Sequence, residues 1–216
     1  MKLNLGCGAR PLKGYLNIDA PLSYMSDPAI KADKYCNIED LSFDSETIDG
    51  IKMESVFEHF PRHVALFLMR RFYKWLKPNG WVSIVVPDTM YAFERIKSAK
   101  DMSTKMFFFR CIFGPQDTIQ YGTHFDGFDD EKLKETFKAV GFNTFNIRHN
   151  YGNRPNIYFT AAKQEPFLQD DTVAEQNIKK ILRMYARGRK TDFMINNWIT
   201  YAKKVLKYKS LTSPDK

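Results

Sequence analysis

Over Lys2–Gly6, Leu3 and Leu5 flank the polar Asn4 and the run stops at glycine, which predicts a short strand. Gly14–Asp19, Lys34–Ile38 and Gly50–Ser55 predict three more. Between Pro61 and Lys77 the period changes. Val64, Phe67, Leu68, Phe72, Trp75 and Leu76 recur at helical spacing, with Pro61 suited to a first helical position and the KPNG run, Lys77–Gly80, as the stop. Trp81–Pro87 is an apolar, β-branched run, which predicts a strand buried on both faces. A helix over Asp130–Val140, closed by Gly141, leads to a strand near Phe142–His149 and a last strand over Asn156–Lys163. Met106–Phe128 has no clean period and reads as an irregular insertion beside the sheet. Strands alternating with helices predict a mostly parallel α/β sheet.

After Lys163 the texture changes. Thr172 with Glu175 three residues on has the spacing of a capping box, followed by Ile178, Ile181, Leu182 and Tyr185 on one helical face. The RGRK run breaks this helix, and a second one puts Ile195, Trp198, Ala202 and Val205 on one side. The chain of 216 residues therefore divides into an α/β domain, 1–163, and a helical extension, 164–216. The net charge of +8 lies in that extension: 176–216 holds eleven Lys and Arg against Asp192 and Asp215, a net +9. The body is thus close to neutral, and no broad basic groove for nucleic acid is implied. The extension can be a solvated face, a dimer contact, or an amphipathic helix on an anionic membrane. In the last case Ile195, Trp198 and Val205 would dip in while Lys203, Lys204, Lys207 and Lys209 met phosphates. Cys7, Cys36 and Cys111 are too few and scattered for a disulfide framework. With no leader ahead of the first strand and no long apolar run, a cytoplasmic protein is expected, at most peripheral to the inner membrane face.

A strand ending in Gly6-Cys7-Gly8 lets a ligand approach bare backbone, and Asp19 at the end of the next strand can accept from ribose hydroxyls. A dinucleotide is disfavoured. Pro11 stands where the third small residue of that fingerprint belongs, and Asp19 comes too soon after Gly8.

The full word LNLGCG (Leu3–Gly8) resembles the first motif of the class I S-adenosylmethionine-dependent methyltransferases, type 11 group. The resemblance continues in order through NIDA (Asn17–Ala20), CNIEDLSFDSETIDGI (Cys36–Ile51), ESVFEHF (Glu54–Phe60), LKPNGWVSIVVPD (Leu76–Asp88) and FDDEKLKETFKAVGF (Phe128–Phe142). It implies a Rossmann-like sandwich, a mostly parallel seven-stranded sheet flanked by helices, with S-adenosylmethionine as cofactor and S-adenosylhomocysteine as product. By the same resemblance Gly6, Cys7 and Gly8 lie against the methionine part of the cofactor, their backbone meeting its carboxylate and ammonium. Asp19 holds the ribose, Asn37 and the Ile38 amide meet the adenine, and Glu54 and Ser55 face the sulfonium. Asn37 replaces the usual Asp, and Asn79 replaces one glycine of KPGG.

The implied activity is methyl transfer to a small-molecule or glycan- or lipid-linked acceptor, at oxygen; the alternatives are a non-catalytic cofactor-binding or scaffold protein, and a nucleic-acid methyltransferase that uses the basic extension. A hydroxyl acceptor must lose a proton, and histidine is the natural base. His59, beside Glu58 after the fourth strand, and His124, with Tyr121, Asp126 and Asp129 nearby in the insertion, are the candidates. His63 reads as surface and His149 as structural. A metal is not expected: His59 and His63 have ligand spacing, but Pro61 between them starts the helix after His59. Glu58, Asp88 and Glu94 form a carboxylate set that methyl transfer does not need. The chain also lacks, after the fourth strand, the Pro-Pro-aromatic grip of enzymes that methylate flipped bases, so nucleic acid is the least favoured acceptor.

Overall fold

The computed structural model describes residues 1–21, 29–118, 121–152 and 154–207. Seven strands form one sheet: β1 (Lys2–Leu5), β2 (Leu16–Asp19), β3 (Lys34–Tyr35), β4 (Ile48–Glu54), β5 (Leu76–Pro87), β6 (Thr144–Asn150) and β7 (Asn156–Ala162). Their order is β3-β2-β1-β4-β5-β7-β6, and only β7 runs against its neighbours. The expected mostly parallel, seven-stranded sheet is therefore present. The order reverses direction between β1 and β4, which opens a crevice at their carboxyl ends.

Six helices accompany it: α1 (Arg62–Trp75), α2 (Thr89–Ser98), α3 (Met102–Phe113), α4 (Asp130–Val140), α5 (Asp171–Tyr185) and α6 (Thr191–Val205). Ten of the fourteen residues of α1 are buried, so it is apolar nearly all round. The reason is its position: β5 lies on one side, and α4, α5 and α6 cover the rest. Ile178, Ile181, Leu182, Ile195, Ile199 and Leu206 of the extension belong to the same continuous core as Leu3 and Ile51. Arg70 locks the junction. Its buried guanidinium donates to the carbonyls of Val140, Leu168 and Gln169 and pairs with Asp171 at 2.8 Å.

Several sequence expectations change here. β5 begins at Leu76, so KPNG is not a stop ahead of the strand. Asn79 takes the left-handed conformation, φ 63°, and pairs with the Lys163 carbonyl. Burial on both faces of β5 holds only in part. Val82, Ile84 and Val86 are buried on one face and Val85 on the other, while Trp81 and Ser83 are half-exposed. Met102–Phe113 is helical, where an irregular insertion was expected from Met106 on. Its aromatics show no period because only Phe108 is buried, and Met102, Met106 and Phe113 face solvent. The α5 cap is Asp170, which accepts from the Thr172 amide at 2.7 Å, while Glu175 pairs with Lys203. The stripe that would dip into a membrane in one of the three readings of the extension packs toward α1. Ile195 is fully buried and Trp198 stacks on His63, which is accordingly packed rather than a surface residue. Lys203 and Lys207 are held by Glu175 and Asp40, and Lys209 lies outside the described residues. Among the described residues, no helix is long and apolar enough to cross a membrane.

Candidate active site

Two cavities open at the crevice. The larger, about 610 Å³, is lined by Gly6, Gly8, Asp19, Asn37, Ile38, Glu54 and Ser55 among others. Seven of the eight residues assigned to the cofactor by resemblance thus converge. Cys7 does not line it. Its side chain is buried, and burial together with the Asp19 carboxylate pushes the thiol up to about 11.

The loop's geometry narrows what it can bind. Gly6 and Gly8 have φ of 67° and 53°, values that L side chains rarely adopt. A Cβ on Gly6 would stand 2.3 Å from Val56 Cγ2, whereas one on Gly8 would meet nothing within 4 Å. Gly8 therefore faces open cavity. The amides of Gly6 and Cys7 both donate to the Ile18 carbonyl, and that of Gly8 donates to Asp19 Oδ2 at 2.6 Å. All three amides are spent inside the fold. What the loop has left is carbonyl oxygen, which suits an ammonium. Asp19 is buried, and its two oxygens are aimed by Gly8 and by the Ala20 amide at 2.7 Å, with lone pairs remaining for ribose hydroxyls. Asn37 Oδ1 accepts from the Tyr121 hydroxyl at 3.1 Å and keeps a second lone pair for an adenine amino group.

The second cavity, about 430 Å³, is lined by Glu58, His59, Phe107, Arg110, His124 and Arg154 among others. It shares Gly8, Ser55, His59 and Tyr121 with the first. His59 and His124 thus come together from opposite ends of a long chain segment, their ring centroids 4.9 Å apart. The short 3-10 turn Phe57–His59 after β4 presents Glu58 and His59. The loop carrying His124 is tied to that turn. The Phe125 amide donates to the Glu58 carbonyl at 2.8 Å, and His59 Nδ1 donates to the Thr123 carbonyl at 3.0 Å. Burial, then His124, pushes the His59 imidazole down to about 4, and burial also lowers His124. Both rings are therefore neutral near pH 7. Burial pushes the Glu58 carboxyl up to about 8.

Other expected partners of these groups are elsewhere. Glu58 does not bond to His59; neither of its oxygens has a hydrogen-bond partner among the described residues. His124 is oriented by the Cys111 carbonyl, 3.1 Å from Nδ1. Asp126 pairs with Lys132, Asp129 caps α4, and Tyr121 reaches Asn37. Asp88 caps α2 and accepts from Tyr151, and Glu94 pairs with Lys97, so the carboxylate set is not assembled. His149 bonds Asp130, in keeping with a structural role. Arg110 and Arg154 were not foreseen. They sit on α3 and beside the β6–β7 turn, where no motif marks them.

A crevice at the sheet's switch point, joined to a second cavity, is where a nucleotide-type ligand binds in an open α/β sheet, with room beside it for a second molecule. Residues 3–146 match a family described as a methyltransferase domain, and the chain belongs to that family. It is a class I S-adenosylmethionine-dependent methyltransferase, and S-adenosylmethionine is its cofactor. No curated protein matches the sequence. Among solved structures, an S-adenosylmethionine-dependent methyltransferase of Thermotoga maritima, described as a possible histamine N-methyltransferase, is 16% identical. The match covers 76% of this chain and 82% of that one, with a TM-score of 0.52. A methyltransferase of Methanosarcina mazei is 16% identical over 76% and 92% of the two chains, TM-score 0.45. The 1,6-didemethyltoxoflavin-N1-methyltransferase of Burkholderia thailandensis, solved with bound 1,6-didemethyltoxoflavin and S-adenosylhomocysteine, is 14% identical over 76% and 71%, TM-score 0.48. At these identities the likeness is one of fold.

Proposed function

We propose that the protein methylates a hydroxyl oxygen on a glycan- or lipid-linked acceptor that carries an anionic group. The observation that carries this reading is the junction of the two cavities at Gly8, Ser55, His59 and Tyr121. A cofactor in the first cavity would end where an acceptor in the second begins. When bound, S-adenosylmethionine supplies a methyl group on a sulfonium, open to in-line displacement by a nucleophile.

The chain's own residues then have three tasks. Asp19 and the carbonyl oxygens of the glycine loop fix the cofactor's two ends, which sets the methyl direction. His59 and His124 each give Nδ1–H to a backbone carbonyl, so each keeps a bare Nε2 that can accept from an acceptor hydroxyl. Arg110 and Arg154 line the same cavity without a carboxylate partner among the described residues, which suits a phosphate or carboxylate on the acceptor. Met90 and Phe93 of α2 and Met102, Met106 and Phe113 of α3 are exposed, and α3 also lines this cavity through Phe107 and Arg110, so exposed apolar side chains on these helices suit an acyl or polyprenyl chain.

The test is methyl transfer from labelled S-adenosylmethionine to matched acceptors: hydroxyl or amine, with or without a phosphate, with or without an acyl chain. Label is expected in the hydroxylated, phosphorylated members, strongest where the chain is present. Label only in the amines would overturn the oxygen assignment.

A further inference from the structure

We propose that Glu58, His59 and His124 bind a divalent first-row transition-metal ion between the cofactor and the acceptor. One ligand atom from each of the three residues lies within 4.8 Å of the others, close enough for a single ion to reach all three. One carboxylate and two imidazoles form a donor set suited to zinc, cobalt, manganese or ferrous iron.

Two independent features point to an ion rather than to packing. The first is Glu58. It is 1% exposed, lines the acceptor cavity, and leaves both carboxylate oxygens unpartnered among the described residues. Buried carboxyl oxygens without a partner are costly, and a cation would supply one. The second is the histidine geometry. Both Nδ1 atoms donate to backbone carbonyls, His59 to Thr123 and His124 to Cys111. This is the outer-shell bond that metal-binding histidines make, and it turns Nε2 outward as the ligand atom. The loop bearing His124 is also pinned before any ligand arrives: the His124 amide donates to the Phe113 carbonyl and the Phe125 amide to that of Glu58. The donors are thus preorganised by backbone, not by one another.

Three protein ligands leave open positions, as at catalytic metal centres. With the ion bound, each Nε2 lone pair would go to the ion rather than to the acceptor hydroxyl, and an acceptor oxygen at an open position would be polarised by the ion instead. The sequence could not show this, since its ligand-spaced pair was His59 and His63. His63 instead packs against Trp198 and Tyr201 on α6.

The inference rests on the methyltransferase reading only for the ion's role in the reaction, so its test reads binding. The full chain is stripped with a chelator and titrated with Zn²⁺ and Co²⁺ by calorimetry, with Co²⁺ visible absorption recorded alongside. Expected is one ion per chain, absorption bands of protein-bound Co²⁺, and affinity reduced at least about tenfold in both Glu58→Gln and His124→Ala. His149→Ala, outside the site, should bind as the parent does. No binding by the parent chain, or binding unchanged in both site variants, overturns the proposal. Calorimetry with S-adenosylhomocysteine on the same sample separates the two readings. Heat with the nucleoside but none with metal defeats this inference alone, whereas no heat with the nucleoside defeats the proposed function.

Discussion

Replacing Gly8 by alanine tests the cofactor loop most cleanly, because the same structure supplies a matched control. Gly8 and Gly14 both have positive φ, 53° and 82°, and a Cβ at either would meet no atom within 4 Å. They differ in one respect: Gly8 lines both cavities and Gly14 lines neither. Left-handed backbone costs a non-glycine residue about 1–2 kcal/mol. At roughly 2–4 °C per kcal/mol for a chain of this size, each variant should melt about 2–8 °C lower. Only in Gly8→Ala does the new methyl occupy space where the cofactor would touch bare backbone. Displacing the ligand from one carbonyl forfeits a charge-assisted hydrogen bond, about 1.5–3 kcal/mol, or about 10- to 150-fold in affinity. Calorimetric titration with S-adenosylhomocysteine reads this directly. Equal affinity in Gly8→Ala and Gly14→Ala would refute the placement of the cofactor against the loop. Gly6→Ala is no substitute, since its Cβ would strike Val56 and confound binding with stability.

Asp19→Asn removes the charge that faces the ribose while keeping one acceptor oxygen, and should weaken S-adenosylhomocysteine by about 10-fold or more in the same titration. Arg70→Met leaves three carbonyls and Asp171 without their donor and should cost about 2–4 kcal/mol in urea unfolding, with Lys74 still holding Asp171. Burial raises the Asp171 carboxyl, but Lys74 and Arg70 outweigh it and leave it below its usual value. Its stabilisation is therefore full above about pH 4 and is lost as pH falls through the lower folded value. A urea series from pH 6 to pH 2.5 should show a shallower acid decline in Arg70→Met than in the parent. Ending the chain at Lys163 removes six buried Ile and Leu side chains from the core, each worth about 1.5–3 kcal/mol. That is comparable to a whole domain's stability, so the shortened chain should be insoluble or lack a cooperative melt; a sharp unfolding transition would show that 1–163 stands alone.

The strands and the core helices were legible because their signals are local. LNLG alternates at the strand period, α1 repeats at the helix period, and Asp130–Val140 carries its own glycine stop. The cofactor side was equally readable, since Gly6, Gly8 and Asp19 sit at strand ends and the sheet delivers strand ends to one crevice. α3 was missed for the converse reason. A helix that buries only Phe108 and leaves Phe109 and Phe113 exposed has no amphipathic period to read.

The sequence by itself determined the strand order's ingredients, the glycine loop with its acid at the crevice, and two histidines that line a cavity. Tertiary structure alone decided that His59 meets His124, that Glu58 stands beside them without a partner among the described residues, and that the extension closes over α1. The division has a physical cause. Backbone periodicity and turn chemistry act across a few residues, whereas these contacts join groups far apart along the chain. They exist only because particular carbonyls, those of Thr123, Cys111, Glu58, Leu168 and Gln169, accept from partners that folding alone brings near.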